Sequence, residues 1–287
     1  MTFAAAIDDI IDRALAEDLG GGDLTSECCI RADRRAVADA IARSELVVCG
    51  GALFARVFAR VDPTCQVQIA QPDGARVAAD TVLWTVRGLA RSILGAERVA
   101  LNFAQRMTGI ATLAARYVGA LPPGSSTRIT DTRKTTPGLR ALEREAVRTG
   151  GAHNHRDSLG SAVLIKDNHI VAAGGIAAAV AMARACAPHT SRIEVEVTTL
   201  AELDQALDAG ADVVLLDNMD TPTVREAVAR ARARAAGRAA PTLEASGGIT
   251  LARVAELALA GVDVISVGAL THSAPAGDIS LEFRLAD

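Results

Sequence analysis

From residue 127 to residue 267, six short apolar runs (127–130, 162–165, 192–197, 213–216, 242–245 and 263–267) alternate with amphipathic or alanine-rich stretches at 137–149, 175–186, 199–208, 222–236 and 250–259. Strand and helix alternating at this pitch build parallel βαβ units, hence an α/β barrel or a doubly wound sheet. Thr136-Pro137 and Thr221-Pro222 each set a capping residue before a proline at the first helical position. A complete barrel has eight strands, so six clear ones point to an incomplete or modified barrel.

The first 120 residues follow a different plan. Phe3, Ile7, Ile10, Ile11, Ala14 and Leu15 recur at helical spacing opposite Asp8, Asp9, Asp12 and Arg13, and Gly20 to Gly22 stop that helix. Asp23 or Thr25 then serves as a cap or turn residue. β-like segments at 36–49, 65–70 and 81–87, a turn at 71–74 and a helix-like 50–61 make this region α+β. The stretch DGARVAADTVLWTVRG resembles half of a lipoyl or biotinyl carrier motif, but the region lacks the lysine a carrier needs. Residues 92–118 read as one long helix, apolar around most of its circumference and therefore buried. Asn102, Gln105, Arg106 and Gly109 form its narrow polar stripe. A buried arginine is costly unless an anion meets it, so Arg106 either pairs with a carboxylate of the protein or points at a ligand. LPPGSS at 121–126 is a linker signal near the domain boundary.

Composition narrows the function classes. Only 2% of the 287 residues are aromatic although half are hydrophobic, so Ala, Val, Leu and Ile must fill the core. A net charge of −4 gives no general attraction to nucleic acid or to an anionic membrane, and any anion binding must be local. Five cysteines without CxxC spacing indicate neither a disulfide framework nor a zinc site, and they fit a reducing compartment. Asp8, Asp9 and Asp12 interrupt what would be a signal peptide, and no apolar run approaches the roughly 20 residues of a membrane span. The expectation is a soluble cytoplasmic chain.

The local anion site is visible between residues 131 and 169. This window holds both lysines of the chain, Lys134 and Lys166, among 30 Lys plus Arg, and three of the five histidines. After the apolar runs come Asp131 to Lys134, Lys166 to His169, Asp217-Asn218, Ser246 to Gly248 and Gly268-Ala269, with Glu194 and Glu196 within or ending one of them. In parallel α/β folds the carboxyl ends of the strands point one way and carry the active site, so these residues converge. Each has a bland reading as a cap, a turn or a packing glycine, but caps do not require Lys, Arg and Glu at strand ends. Arg133, Lys134, Arg156, Lys166 and the histidines suit carboxylates and phosphates. Glu196 and Asp217 suit sugar hydroxyls or a hard cation such as Mg²⁺. Gly247, Gly248 and Gly268 allow backbone N–H groups to approach a phosphate. The spacing of His153 and His155 hints at a metal, but no third soft ligand accompanies it.

The ordered motifs DTRKTTPGLR, GGAHNHR, VLIKDNHI, EVEV, LLDN, EASGGI and SVGALTHSAP closely resemble the quinolinate phosphoribosyltransferase family. EDLGGGDLTSE, AERVALNFAQRMTGIAT and DISLEF extend the resemblance over nearly the whole chain. It implies an N-terminal α+β, sandwich-like domain (1–112, with 275–287 returning to it) and an incomplete α/β barrel (113–274). The implied reaction joins quinolinate to phosphoribosyl pyrophosphate (PRPP) with Mg²⁺, giving nicotinate mononucleotide, carbon dioxide and pyrophosphate for NAD biosynthesis. By motif, Arg133, His155, Arg156 and Lys166 would contact quinolinate, with Arg106 supplied by the neighbouring subunit of a homodimer or an assembly of dimers. Lys134, Glu196 and Asp217 would hold the phosphoribosyl donor and its metal. Ser246, Gly247 and Gly248, with Val267, Gly268 and Ala269, would cradle its 5′-phosphate, and Thr132 would join the substrate contacts. Lys134, Lys166, Glu196 and Asp217 would be the catalytic set.

Gly277 departs from the pattern, where a larger apolar residue is expected, and the expected consequence is looser packing of the returning segment. Two rival readings remain at this stage: a Schiff-base barrel with Lys166 as nucleophile, and a binding module without turnover.

Overall fold

The computed structural model describes residues 3–235 and 240–286, without the side chains of residues 3–5. The expected place of Phe3 on an apolar helix face, and the extension of the fourth crossover helix to residue 236, lie outside the described residues. The chain divides into two compact units, one of residues 1–115, 135–151 and 273–287, the other of residues 116–134 and 152–272.

The first unit opens with α1 (Phe3–Leu19), which buries Ile11 and carries Asp8 and Asp12 one turn apart. These pair with Arg56 and Arg60, also one turn apart, on α3 (Gly51–Val61). Between them lies α2 (Leu24–Cys29); of the two cap or turn residues that the sequence offered, Asp23 is the cap, accepting from the Ser26 N–H at 3.0 Å. The strands are β1 (Arg35–Ala42), β2 (Leu46–Val47), β3 (Gln66–Ile69), β4 (Arg76–Val77) and β5 (Val82–Leu89), followed by the long helix α4 (Ala90–Gly119). An antiparallel sheet runs in the order β12-β1-β5-β3, where β12 (Ile279–Leu285) returns from the C-terminal end and pairs with β1 from Ala36↔Leu285 to Ala42↔Ile279. With few aromatic residues available, one cluster concentrates them: Phe54 lies 4.9 Å from Phe58 and 4.8 Å from Trp84 between ring centres.

The polar stripe of α4 receives the segment leading into β12. Gln105 donates to the Ile279 carbonyl at 2.7 Å, and the Gly277 N–H donates to the Gln105 carbonyl at 2.7 Å. A Cβ at Gly109 would lie 1.9 Å from the Pro275 carbonyl oxygen, so this glycine is required by the close approach. The expectation that Gly277 loosens packing is corrected here. A Cβ there would meet Thr108 Cγ2 at 2.8 Å, and Thr108 cannot yield easily, being fully buried with its hydroxyl bonded to both Cys49 N–H and Cys49 C=O.

In the second unit six parallel strands are ordered β6-β11-β10-β9-β8-β7: β6 (Arg128–Thr130), β7 (Val163–Ile165), β8 (Ile193–Val197), β9 (Val213–Asp217), β10 (Thr242–Ser246) and β11 (Val264–Ser266). Their connections contain α6 (Asp167–Ala173), α7 (Ile176–Cys186), α8 (Leu200–Asp208), α9 (Thr221–Ala235) and α10 (Leu251–Ala260), and α11 (Ala269–His272) follows β11. Among the described residues β6 and β7 do not pair with each other, so the sheet stays open. The helix expected first in this series, α5 (Arg140–Thr149), is counted with the first unit. Gly150 at its end is tight against α4, where a Cβ would lie 2.4 Å from the Ala111 carbonyl oxygen.

Register determines which side chains share a face. The rows Glu194↔Val213, Glu196↔Leu215↔Glu244↔Val264 and Asp217↔Ser246, with Ser266↔Thr130, place all these residues on one face, because successive side chains alternate. The opposite face consists of Ile129, Ile165, Ile193, Val195, Val197, Val214, Leu216, Leu243, Ala245 and Ile265, all buried. One face of the sheet is therefore apolar and the other holds the acidic and hydroxyl side chains.

Candidate active site

The structure places the expected residues at the carboxyl ends of these strands. Thr132, Arg133 and Lys134 follow β6, His155 and Arg156 follow the bridge that His153 makes to Thr130, and Lys166 directly follows β7. Glu196 lies within β8, Asp217 ends β9, Ser246 ends β10 ahead of Gly247 and Gly248, and Val267, Gly268 and Ala269 follow β11.

Asp131, fully buried just after β6, organises the first loop. It accepts from the His155 N–H at 2.6 Å and from Asn154 Nδ2 at 2.7 Å, and an isolated bridge joins Thr130 to His153. This fixes the backbone leading to Arg156, whose guanidinium donates to the Ala162 carbonyl at 2.9 Å. Burial, and next the positive charge of Arg133, draws the Arg156 pKa below its ordinary value.

Lys166 Nζ lies 2.5 Å from Glu196 Oε2. The Lys166 backbone N–H donates to His169 Nδ1 at 3.0 Å, which holds the chain where β7 turns into α6.

The glycine positions are built by close approach. Asn218 adopts a left-handed backbone, with φ 56°, and donates through Nδ2 to Asp217 Oδ2 at 2.8 Å. Gly247, at φ 89°, leaves room for it, since a Cβ there would lie 2.2 Å from Asn218 Oδ1. At Gly248 a Cβ would meet nothing within 4 Å, so the backbone borders open space. A Cβ at Gly268 would approach His272 Nε2 to 3.1 Å and Lys134 Cδ to 3.2 Å, which brings Lys134 beside the 267–269 turn. Thr271 Oγ1 donates to the Lys134 carbonyl at 2.7 Å and secures the same meeting.

Deeper on the same face lies a cluster that sequence reading did not assemble. His155 Nε2 is 3.4 Å from Glu194 Oε2 and 3.5 Å from Glu244 Oε1, and both carboxylates are buried. Burial alone would lower His155, but the two carboxylates push it up to about 10, and burial raises Glu194 as well. The Arg156 N–H donates to His155 Nδ1 at 2.8 Å, so that nitrogen presents a lone pair, and the cluster's retained proton belongs on the side facing the carboxylates. Both His155 nitrogens are thus directed at the protein. Among the described residues these three side chains, and not His153, bring possible metal-ligating atoms together, all within 4.8 Å of one another. The legible signal for Glu244 was a charged residue inside a buried parallel strand, two positions before Ser246.

Arg106 belongs to the first unit. Its guanidinium donates to buried Glu143 at 2.7 and 3.0 Å, to Thr136 Oγ1 at 3.2 Å and to the Ala274 carbonyl at 3.3 Å. The carboxylate-paired alternative is realised in this chain. Arg106 also lines a cavity of about 490 Å³ together with Arg13, Arg98, Asn102 and Pro137.

Cations, hard carboxylates and glycine turns gathered on the polar face of an open parallel sheet define an α/β enzyme that takes an anionic, phosphate-bearing substrate. The comparisons narrow that class. The family models described as quinolinate phosphoribosyl transferase, N-terminal and C-terminal domains, match residues 23–108 and 110–282, and the chain belongs to this family. A probable nicotinate-nucleotide pyrophosphorylase [carboxylating] from Synechocystis is 41% identical over 96% of this chain and 92% of its own, and the human nicotinate-nucleotide pyrophosphorylase [carboxylating] is 42% identical over 84% and 80%. In structure the chain is similar to NadC from Streptococcus pyogenes, with a TM-score of 0.92 and 37% identity over 100% of this chain and 99% of that one.

Proposed function

We propose that the protein transfers the phosphoribosyl group of PRPP to quinolinate and releases carbon dioxide, forming nicotinate mononucleotide and pyrophosphate for NAD biosynthesis. The observation that carries this reading is the gathering of Arg133, Lys134, Arg156 and Lys166 with Glu196, Asp217 and the glycine turns around the strands of one parallel sheet, where cations suit a dicarboxylate and carboxylates with glycine turns suit a phosphoribosyl donor. Relatives bearing the carboxylating pyrophosphorylase name over nearly the full chain support the same substrates.

The pyridine nitrogen attacks the ribose anomeric carbon as the bond to pyrophosphate breaks and its electron pair leaves with pyrophosphate. Arg133, Arg156 and Lys166 hold the quinolinate carboxylates and fix the nitrogen's approach. Lys134 and the turns at Ser246 to Gly248 and Val267 to Ala269 receive the donor's phosphates. The alkylated ring nitrogen then takes up electron density, so the adjacent C–CO₂ bond breaks, carbon dioxide leaves, and a proton from solvent replaces it on the ring carbon.

Glu196 and Asp217 fit a hard divalent cation by chemistry, since both offer carboxylate oxygens on one face and two such ligands suit Mg²⁺ completed by substrate phosphates and water. Mg²⁺ held there would neutralise charge on the departing pyrophosphate. Arg106, aligned by Glu143 at a cavity with two further arginines, supports a homodimer in which it serves the neighbouring site. Five free cysteines support a cytoplasmic setting, and among the described residues no single helix is long and apolar enough to cross a membrane.

Purified protein with quinolinate, PRPP and Mg²⁺ is expected to release carbon dioxide and nicotinate mononucleotide in equal amounts, and to lose both on Arg133→Ala or Lys166→Ala. Folded protein that turns over neither quinolinate nor nicotinate would assign the site to another anionic ligand.

A further inference from the structure

The reaction steps above leave one costly feature without a task. Glu194 and Glu244 are 5% and 3% exposed; Glu194 Oε1 makes no hydrogen bond, and Glu244 Oε1 has only the ionic approach of His155 Nε2 at 3.5 Å. Burying a carboxylate is costly unless it is paired, and interior positions of parallel strands are ordinarily apolar, as Val213 and Leu215 between these two are. A chain that needed only to fill this space would carry Val or Leu at both positions.

What the pair does hold is His155. Glu194 on β8 and Glu244 on β10, flanking β9, both converge on Nε2, at 3.4 and 3.5 Å. At its other end the residue is tied by its own N–H to Asp131 and by Nδ1 to the N–H of Arg156. The imidazole is therefore a strut between the sheet interior and the backbone of Arg156. The strut restrains the loop that carries Arg156 before a ligand arrives.

We propose that Glu244, with Glu194, is a positioning residue that anchors the His155 ring and so holds Arg156 where the substrate's carboxylate binds. Neither glutamate touches substrate, and the effect passes through the His155–Arg156 backbone contact. This inference rests on the proposed function and adds to it a determinant of dicarboxylate affinity.

The test uses Glu244→Gln, which keeps volume and removes charge, beside wild type, Arg156→Lys and the double variant. Quinolinate binding is measured by calorimetry and turnover with both substrates by product formation. Glu244→Gln should raise the KM and Kd for quinolinate about tenfold, with the KM for PRPP and the thermal midpoint nearly unchanged. The double variant should bind quinolinate about as weakly as Arg156→Lys alone, because both changes disable one device. Parallel losses in both KM values, kcat and thermal midpoint would mean a merely structural role and overturn the inference. So would additive losses in the double variant, or one equivalent of tightly held metal in wild type that Glu244→Gln releases, which would make the cluster a metal site. Wild type that binds and converts quinolinate beside an indistinguishable Glu244→Gln sinks only this inference; wild type that does neither sinks the functional reading and the inference together.

Discussion

Lys166 Nζ and Glu196 Oε2 stand 2.5 Å apart across the paired strands β7 and β8. The pair matches a cation assigned to quinolinate with an anion assigned to the metal, so a change at either residue is felt by both substrates. Lys166→Ala is expected to lower kcat/KM by about 10²–10³-fold, the range for loss of one fixed transition-state contact. Steady-state kinetics check this, and a loss confined to KM would place Lys166 in ground-state binding alone.

Arg133→Lys and Arg156→Lys keep charge but lose the planar fork. Each is expected to raise the quinolinate KM about tenfold or more while the PRPP KM moves little, because a point charge cannot replace a bidentate pair. Equal shifts for both substrates would move these arginines to the phosphoribosyl end.

Removal of Mg²⁺ by a chelator should abolish turnover, and added Mg²⁺ should restore it. Glu196→Gln and Asp217→Asn should each raise the Mg²⁺ concentration giving half-maximal rate by about tenfold. An unchanged Mg²⁺ dependence in both variants would remove these two carboxylates from the metal's ligand set.

The His155 cluster makes stability fall with alkali. Its pKa rises from 6.5 unfolded to about 10 folded, so the folded state keeps a proton that the unfolded chain releases. The stabilisation is complete below about pH 6.5 and is lost as pH rises through about 10. Denaturant melts across that window should show a decline that is absent in His155→Gln.

Gly277→Ala should destabilise the protein by about 1–3 kcal/mol, the usual cost of overpacking a filled site. Urea unfolding measures it, and a neutral or stabilising result would mean that Thr108 moves aside.

Most elements were legible because their cause is local. Each strand of the second unit has an apolar face and a turn signal, and Pro222 lies in the first turn of α9, but Pro137 does not open a helix: a turn with Gly138 at φ 81° follows it, and α5 starts only at Arg140. α6 escaped because Asp167-Asn168-His169 looks like a polar strand end rather than a first helical turn. Arg106 was left between a protein carboxylate and a ligand, since Glu143, 37 residues away, is identified as its partner only once α4 and α5 are packed. Gly277 was misjudged for a related reason: the space around it belongs to Thr108, distant in sequence and invisible to pattern.

The alternation along β8 and β10 also constrains how such a gene can change. Inserting one codon inside IEVEV would turn Glu194 and Glu196 toward the helices and Val195 toward the substrate, exchanging solvent-averse and reactive surfaces in one step. Length variation is therefore confined to the connections, while the strands behave as a reading frame that tolerates substitution but not slippage.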